Sequence, residues 1–177
     1  MAENLFTTKF IDGSNIPLVS DASIWKDLNT PAYCWNNNDI SYKNPYGALY
    51  NWYTVNTANL CPSGWHVPSD AEWSTLADYL GGDDIAGGKL KETGITHWIH
   101  PNTGANNESG FSALPGSSRH NADGNFHNDI GYSGYWWSST RFSNTIAWTR
   151  SIFYNEYRLN RVKDHMKSGF SVHCVKD

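Results

Sequence analysis

From Tyr135 to the end of the chain, apolar and polar residues alternate with a period of two. Trp136-Trp137-Ser138-Ser139-Thr140, Ala147 to Tyr154, Tyr157 to Val162 and Phe170 to Val175 are strand-like runs separated by short polar stretches, and they predict an antiparallel meander. In the second run Trp148, Arg150, Ile152 and Tyr154 fall on one face, and Ala147, Thr149, Ser151 and Phe153 on the other. Upstream the period is helical: Trp73, Leu76, Ala77 and Leu80 recur on one stripe. Ser69 stands where an N-cap belongs, with Glu72 three positions on to close a capping box, and Gly81-Gly82 ends the segment. The pattern predicts a helix from Asp70 to Leu80. A second short helix is predicted from Ile85 to Glu92, although Gly87 and Gly88 sit inside it.

Between these two regions, residues 93–134 are rich in Gly, Asn and Ser yet carry spaced apolar residues (Trp98, Phe111, Leu114, Phe126, Ile130). That mixture predicts long ordered loops pinned to a core. Near the start, turn residues Asp12-Gly13-Ser14-Asn15 lie between short apolar pieces, as in an extended or hairpin segment, and the aromatic run Tyr46 to Tyr53 is expected to be buried.

At 177 residues the chain fits one domain spanning 1–177. Only 17% of residues are charged while 15% are aromatic, so ordering must come from large flat side chains and hydrogen-bonded loops, and such surfaces tend to bind partners. A net charge of -4 and a pI near 5.9 give no general attraction to phosphate backbones or anionic lipid, so nucleic acid is not an expected partner. No apolar run approaches the roughly 20 residues that cross a bilayer. Met1 to Phe10 lacks the pattern of an export signal, so membrane insertion is not expected and any such signal would lie outside this chain. Cys34, Cys61 and Cys174 allow at most one intramolecular pair.

Motifs that could carry chemistry fail on inspection. His97 and His100 are three apart, a metal spacing only on a helix, and Pro101 with the polar residues after it argues for a loop. Cys61 and His66 could form a thiolate and base, but the Pro62-Ser63-Gly64 turn supplies no helix N-terminus to lower the thiol pKa. Gly87-Gly88-Lys89 resembles a phosphate loop until Asp83 appears where its first glycine belongs and Leu90 where Ser or Thr must bind magnesium. Asp83-Asp84 and Asp123-Gly124-Asn125 lack the EF-hand pattern, and Ser138-Ser139-Thr140 has no His/Asp partner or nucleophile elbow. No catalytic residue, metal or cofactor is expected.

What stands out instead is the C-terminal set of large polar and aromatic residues between regularly spaced hydrophobic anchors. Arg141, Phe142, Asn144, Thr145, Thr149, Ser151, Phe153, Tyr157, Arg158, Asn160, Lys163, Asp164 and His165 have the composition of a recognition surface. Trp148, Tyr154, Phe170 and Val172 are the expected anchors.

Six blocks in order carry a family resemblance: Tyr46 to Tyr53, Cys61 to Trp73, Gly88 to Gly94, Gly110 to Gly116, Trp136 to Thr140 and Gly169 to Val175. Together they resemble the Fibrobacter succinogenes major paralogous domain, from about Glu3 to Asp177. That family is similar to the C-type-lectin-like group that includes the formylglycine-generating enzymes, whose Leu-Pro-Thr-Glu-Ala-Glu-Trp block is similar to Val67 to Trp73. The resemblance implies an α+β, C-type-lectin-like fold with two short helices, small antiparallel sheets, long ordered loops and neighbouring termini. It also implies that the segment before the first helix approaches the final strand, so Cys61 and Cys174 are the candidate disulfide in an oxidising compartment and two thiols in a reducing one.

Three readings of function are weighed beside the resemblance. Some members resemble the variable proteins of diversity-generating retroelements, in which a lectin-like scaffold displays altered C-terminal side chains. This implies a non-catalytic module that binds a protein or glycan at a cell or virion surface, with Arg141 to Ile146, Thr149, Ser151, Phe153, Glu156 to Arg158, Asn160 and Val162 to Ser168 free to differ. The rival is an enzyme of the formylglycine-generating type with Cys61 or Cys174 as reactive thiol, although no second Cys near Cys174 completes the metal-binding pair of those enzymes. A structural domain of a larger surface protein is the third reading.

Overall fold

A computed structural model describes residues 3–177. Five helices, Ala22–Trp25 (α1), Lys43–Tyr46 (α2), Trp52–Val55 (α3), Asp70–Tyr79 (α4) and Asp83–Leu90 (α5), accompany seven strands. The strands are Tyr33–Cys34 (β1), Leu49–Tyr50 (β2), Trp65–His66 (β3), Ser133–Arg141 (β4), Ile146–Phe153 (β5), Asn160–His165 (β6) and Val175–Lys176 (β7). They form antiparallel sheets of order β1-β2, β3-β7 and β4-β5-β6. The class is α+β. The first three helices span a single turn each, too short for a hydrophobic period to appear in sequence.

Helix α4 begins where its capping box dictates. Ser69 Oγ accepts from Glu72 N–H at 3.2 Å, and Glu72 Oε2 accepts from Ser69 N–H at 2.7 Å. Helix α5 starts two residues earlier and ends two residues earlier than its apolar pattern predicts, and its glycines are required by packing. A Cβ on Gly87 would lie 2.2 Å from Arg158 O, and one on Gly88 would lie 2.7 Å from Gly104 O. Two chain segments therefore cross directly against this helix.

The meander holds three strands, not four. Phe170 to Val175 crosses the molecule instead: Phe170 bridges Tyr50, Ser171 bridges Trp136 in parallel, and Val175–Lys176 pairs with Trp65–His66. Strand β6 starts at Asn160, later than the alternation suggests, because the preceding main chain is already engaged. Gly88 N–H donates to Tyr157 O, and Leu159 N–H donates to Asp83 O.

Adjacent tryptophans on β4 divide the interior. Trp136 enters a core with Trp73, Leu80, Leu90 and Ile152, while Trp137 enters another with Tyr50, Trp52, Phe170 and the disulfide. Each indole N–H finds an acceptor: Trp136 donates to Asn4 Oδ1 at 2.9 Å, Trp137 to Tyr50 O at 2.7 Å, Trp52 to Ser138 O at 2.9 Å and Trp98 to Ala113 O at 2.8 Å. The polar end of each large side chain is thus satisfied inside the core that its ring fills. A third, smaller core surrounds Trp25, and the buried Arg119 guanidinium stacks between Trp25 and Phe126 while donating to Val19, Ser20 and Gly124 carbonyls. That arginine pins the long loops to the N-terminal segment.

Cys61 and Cys174 form a disulfide across 113 residues of sequence. Beside it, His66 Nδ1 lies 2.6 Å from Asp177 Oδ1, and Nε2 lies 2.8 Å from Glu72 Oε1, so one imidazole ties β3, α4 and the C-terminal segment together. The bonds to Asp177 and Glu72 raise the His66 pKa above 6.5. Because the folded value is raised, this stabilisation is complete below the unfolded value of 6.5 and fades as pH rises through the folded one. Thermal melts should show the advantage of wild type over His66→Gln shrinking between about pH 6 and about pH 8; an advantage that grows over that range would contradict it. Replacing both Cys61 and Cys174 by Ser should lower unfolding free energy by about 4 kcal/mol, read from urea midpoints, since closure of so long a loop no longer restrains the unfolded chain.

Candidate ligand-binding surface

Strand β5 lies between β4 and β6, and both of its faces are covered. Ala147 packs in the core of Trp137, and Ile152 in that of Trp136. Thr149 and Ser151 are accordingly 1% and 2% exposed, which corrects the expectation that they project from the surface. Alternation marks the two faces of a strand but does not say that one faces water, and from Thr149 to Ile152 both faces of β5 are buried. Phe153 is half-buried, its ring edge-on to Tyr135 at 6.1 Å.

The other ten residues separate to the two ends of the sheet. The register pairs Ile146 with His165 and Ser151 with Asn160, five steps apart and so about 17 Å along the strands. At the far end Arg158 forms an ion pair with Asp84 at 3.2 Å, the Tyr157 ring lies against Gly104, and Asn160 Nδ2 reaches Glu156 at 3.3 Å. Lys91 anchors this loop, a role with no signal in sequence. Its buried ammonium donates to the Phe153 carbonyl at 3.2 Å and the Glu156 carbonyl at 2.9 Å, and desolvation lowers its pKa to about 8.

At the near end, the β4–β5 turn with Phe142, Asn144 and Thr145 stands exposed beside Lys163. Here side chains interleave. Phe142 meets Trp148 edge-on at 5.4 Å, Lys163 Nζ sits 3.8 Å from the Phe142 ring centre, and the Arg161 guanidinium stacks 3.8 Å over Trp148. Arg141 extends over Trp52 at 5.5 Å. Asp164 and His165 serve the turn that follows: Asp164 Oδ1 accepts from Ser168 Oγ at 2.6 Å, and His165, its pKa lowered by burial, accepts from Lys167 N–H at 3.2 Å.

Trp148 is an expected anchor and Arg161 lies within a strand-like run, yet both belong to this surface. Trp148 is half-buried and pairs across the strands with Lys163, while Arg150 pairs with Arg161. A shared carboxylate holds the arrangement: Asp70, the first residue of α4, accepts from buried Arg150 at 2.6 Å and from Arg161 at 3.1 and 2.5 Å. Burial pushes the Asp70 carboxyl up, but the bonds from Arg161 and Arg150 outweigh it and hold the group below the ordinary range. Two guanidiniums therefore share one anion, leaving a surplus positive charge.

The surplus extends along the segment. Residues 141–167 contain six Lys and Arg and two carboxylates, a balance of +4 in a chain of -4, so the remaining residues together carry -8. Arg141, Phe142, Trp148 and Lys163 lie toward the near end, whereas Phe153, Tyr157 and Arg158 lie toward the far one.

Elsewhere, Cys34 is buried and its thiol is pushed up to about 12 by desolvation, while Cys61 and Cys174 are bonded to each other. His97 Nδ1 contacts Glu92 at 2.8 Å, and among the described residues no group of three or more His, Cys, Asp or Glu is placed to hold a metal ion. Among the described residues no helix is long and apolar enough to cross a membrane. No curated protein and no solved structure matches the chain. Residues 1–176 match the sequence model of the Fibrobacter succinogenes major domain, and the chain belongs to that family.

Proposed function

We propose that this protein is a non-catalytic binding module on a C-type-lectin-like scaffold, and that the near end of the β4-β5-β6 sheet recognises a protein or glycan at a cell or virion surface. The observation that carries this reading is the interleaving of Phe142, Lys163, Trp148 and Arg161 at the surface of a sheet whose central strand is buried from Thr149 to Ile152. Aromatic and cationic groups held by a rigid support lose little freedom on binding. The disulfide supports an oxidising, extracytoplasmic setting.

Diversification by a retroelement would fit the same surface. Changes in the β4–β5 turn and along β6 alter exposed side chains without touching either core, whereas changes at Thr149 and Ser151 meet buried surroundings. Sequences of this locus from several isolates should therefore differ at Phe142, Asn144, Thr145 and Lys163 while keeping Asp70, Arg150 and Thr149. Substitutions spread evenly over the chain would remove support for the idea.

A triple change of Phe142, Asn144 and Lys163 to Ala should leave the thermal midpoint within about 2 °C of wild type, because all three are exposed. Its affinity for peptides or glycans that wild type selects from a display library and a glycan array should drop about tenfold or more. Retained affinity would move recognition elsewhere. In contrast, Thr149→Lys buries an unpaired ammonium and should cost about 3 kcal/mol of stability, measured by chemical denaturation.

A further inference from the structure

The two edges of the three-stranded sheet are treated differently. The outer edge of β4 is covered by the C-terminal segment, where Trp137 N–H donates to Ser171 O at 3.1 Å and Ser171 N–H donates to Tyr135 O at 3.0 Å. Strand β6 is the other edge, and among the described residues no bridge reaches it from outside the sheet.

Hydrogen-bond parity shows what that edge presents. Met166 N–H donates to Thr145 O at 2.8 Å, and this pair continues the β5–β6 register. Antiparallel pairs alternate between bonded and non-bonded kinds, so 147/164, 149/162 and 151/160 are bonded while 148/163 and 150/161 are not. The main-chain N–H and C=O groups of Arg161 and Lys163 consequently point away from β5. Their side chains lie two residues apart on the face shared with Trp148, and Val162 between them is 39% exposed.

We infer that the outer edge of β6 accepts an extended acidic segment of a partner protein as a fourth strand. The added strand would bond to the outward amides and carbonyls of Arg161 and Lys163, and its carboxylates at alternate positions would stand opposite their cationic side chains. Charge complementarity selects this occupant: the segment from 141 to 167 carries +4 within a chain of -4, Lys163 has no carboxylate partner among the described residues, and Arg161 shares Asp70 with Arg150. The same charges oppose pairing with a second basic β6, so the edge is guarded against copies of this chain while open to an acidic strand. The inference rests on the C-terminal sheet being the recognition region and gives its ligand a chemistry.

The test titrates a short capped peptide of alternating Glu and Val into the intact, oxidised protein, following backbone amide resonances. Binding should shift and protect the amides of Arg161 and Lys163 and should weaken as salt is raised. A peptide of the same charge with alternate amides N-methylated should bind about tenfold more weakly. Equal binding would show attraction by charge alone and overturn strand addition, as would equally tight binding of a single-stranded oligonucleotide. Lys163→Glu should abolish binding of the Glu peptide and admit one of alternating Lys and Val; failure of that exchange also overturns the proposal. Lys163→Pro removes an outward amide while sparing the bonds to β5, and its loss of binding should exceed that of Lys163→Ala. Should the proline variant fail to fold, the N-methylated peptide and the charge exchange still decide. If the acidic peptide does not bind while library-selected ligands still require Phe142, strand addition alone falls and the edge charges serve only to prevent self-association. If selected ligands ignore Phe142, Asn144 and Lys163, the recognition reading itself falls.

Discussion

The structure depends on the placement of two adjacent tryptophans on opposite faces of β4. Because side chains alternate along a strand, Trp136 and Trp137 commit the sheet to two cores at once, one beneath α4 and α5 and one around Tyr50, Phe170 and the disulfide. Each indole N–H must then find an acceptor in its own core, and Asn4 and the Tyr50 carbonyl supply them from distant segments. Burial of the rings brings the N-terminal segment, the aromatic run and the C-terminal crossing against one strand, and their hydrogen bonds set the orientation in which they pack.

That double coverage explains which parts of the fold are legible in sequence. The capping box of α4 works through contacts three residues apart, so its start is visible in Ser69 and Glu72 alone. The disulfide is visible only through family resemblance, since 113 residues separate its halves. Alternation identifies β5 correctly but cannot reveal its depth. Thr149 and Ser151 have the small polar character of an exposed face, yet they lie against a core whose large residues, Trp137 and Phe170, leave room for only small side chains there. Gly87 and Gly88 look like weaknesses in a helix because the backbones that they admit, at Arg158 and Gly104, come from elsewhere in the chain.

The binding surface is legible in composition and illegible in detail for the same reason. Phe142, Asn144 and Lys163 are polar or aromatic residues in a turn and on an edge, and their exposure follows from local sequence. Trp148 and Arg161 sit in regular strands and have the spacing of framework. Only the pairing of β5 with β6 shows that Trp148 lies beside Lys163 and under Arg161.

Asp70 connects these two levels. As the first residue of α4 it sits where a helix N-terminus favours a carboxylate, and from there it fixes Arg150 inside the sheet and Arg161 at its margin. A carboxylate near a basic surface would ordinarily weaken its attraction for an anion. Here the anion is committed to two guanidiniums, so it orients Arg161 across Trp148 without cancelling the positive charge of the strand. Removing Asp70 would increase the formal charge of the surface yet leave a buried Arg150 uncompensated, and the margin would lose the geometry that makes its charge selective. Fixed orientation therefore matters more than added charge, and it is supplied by a residue on a different element from the strand that it organises.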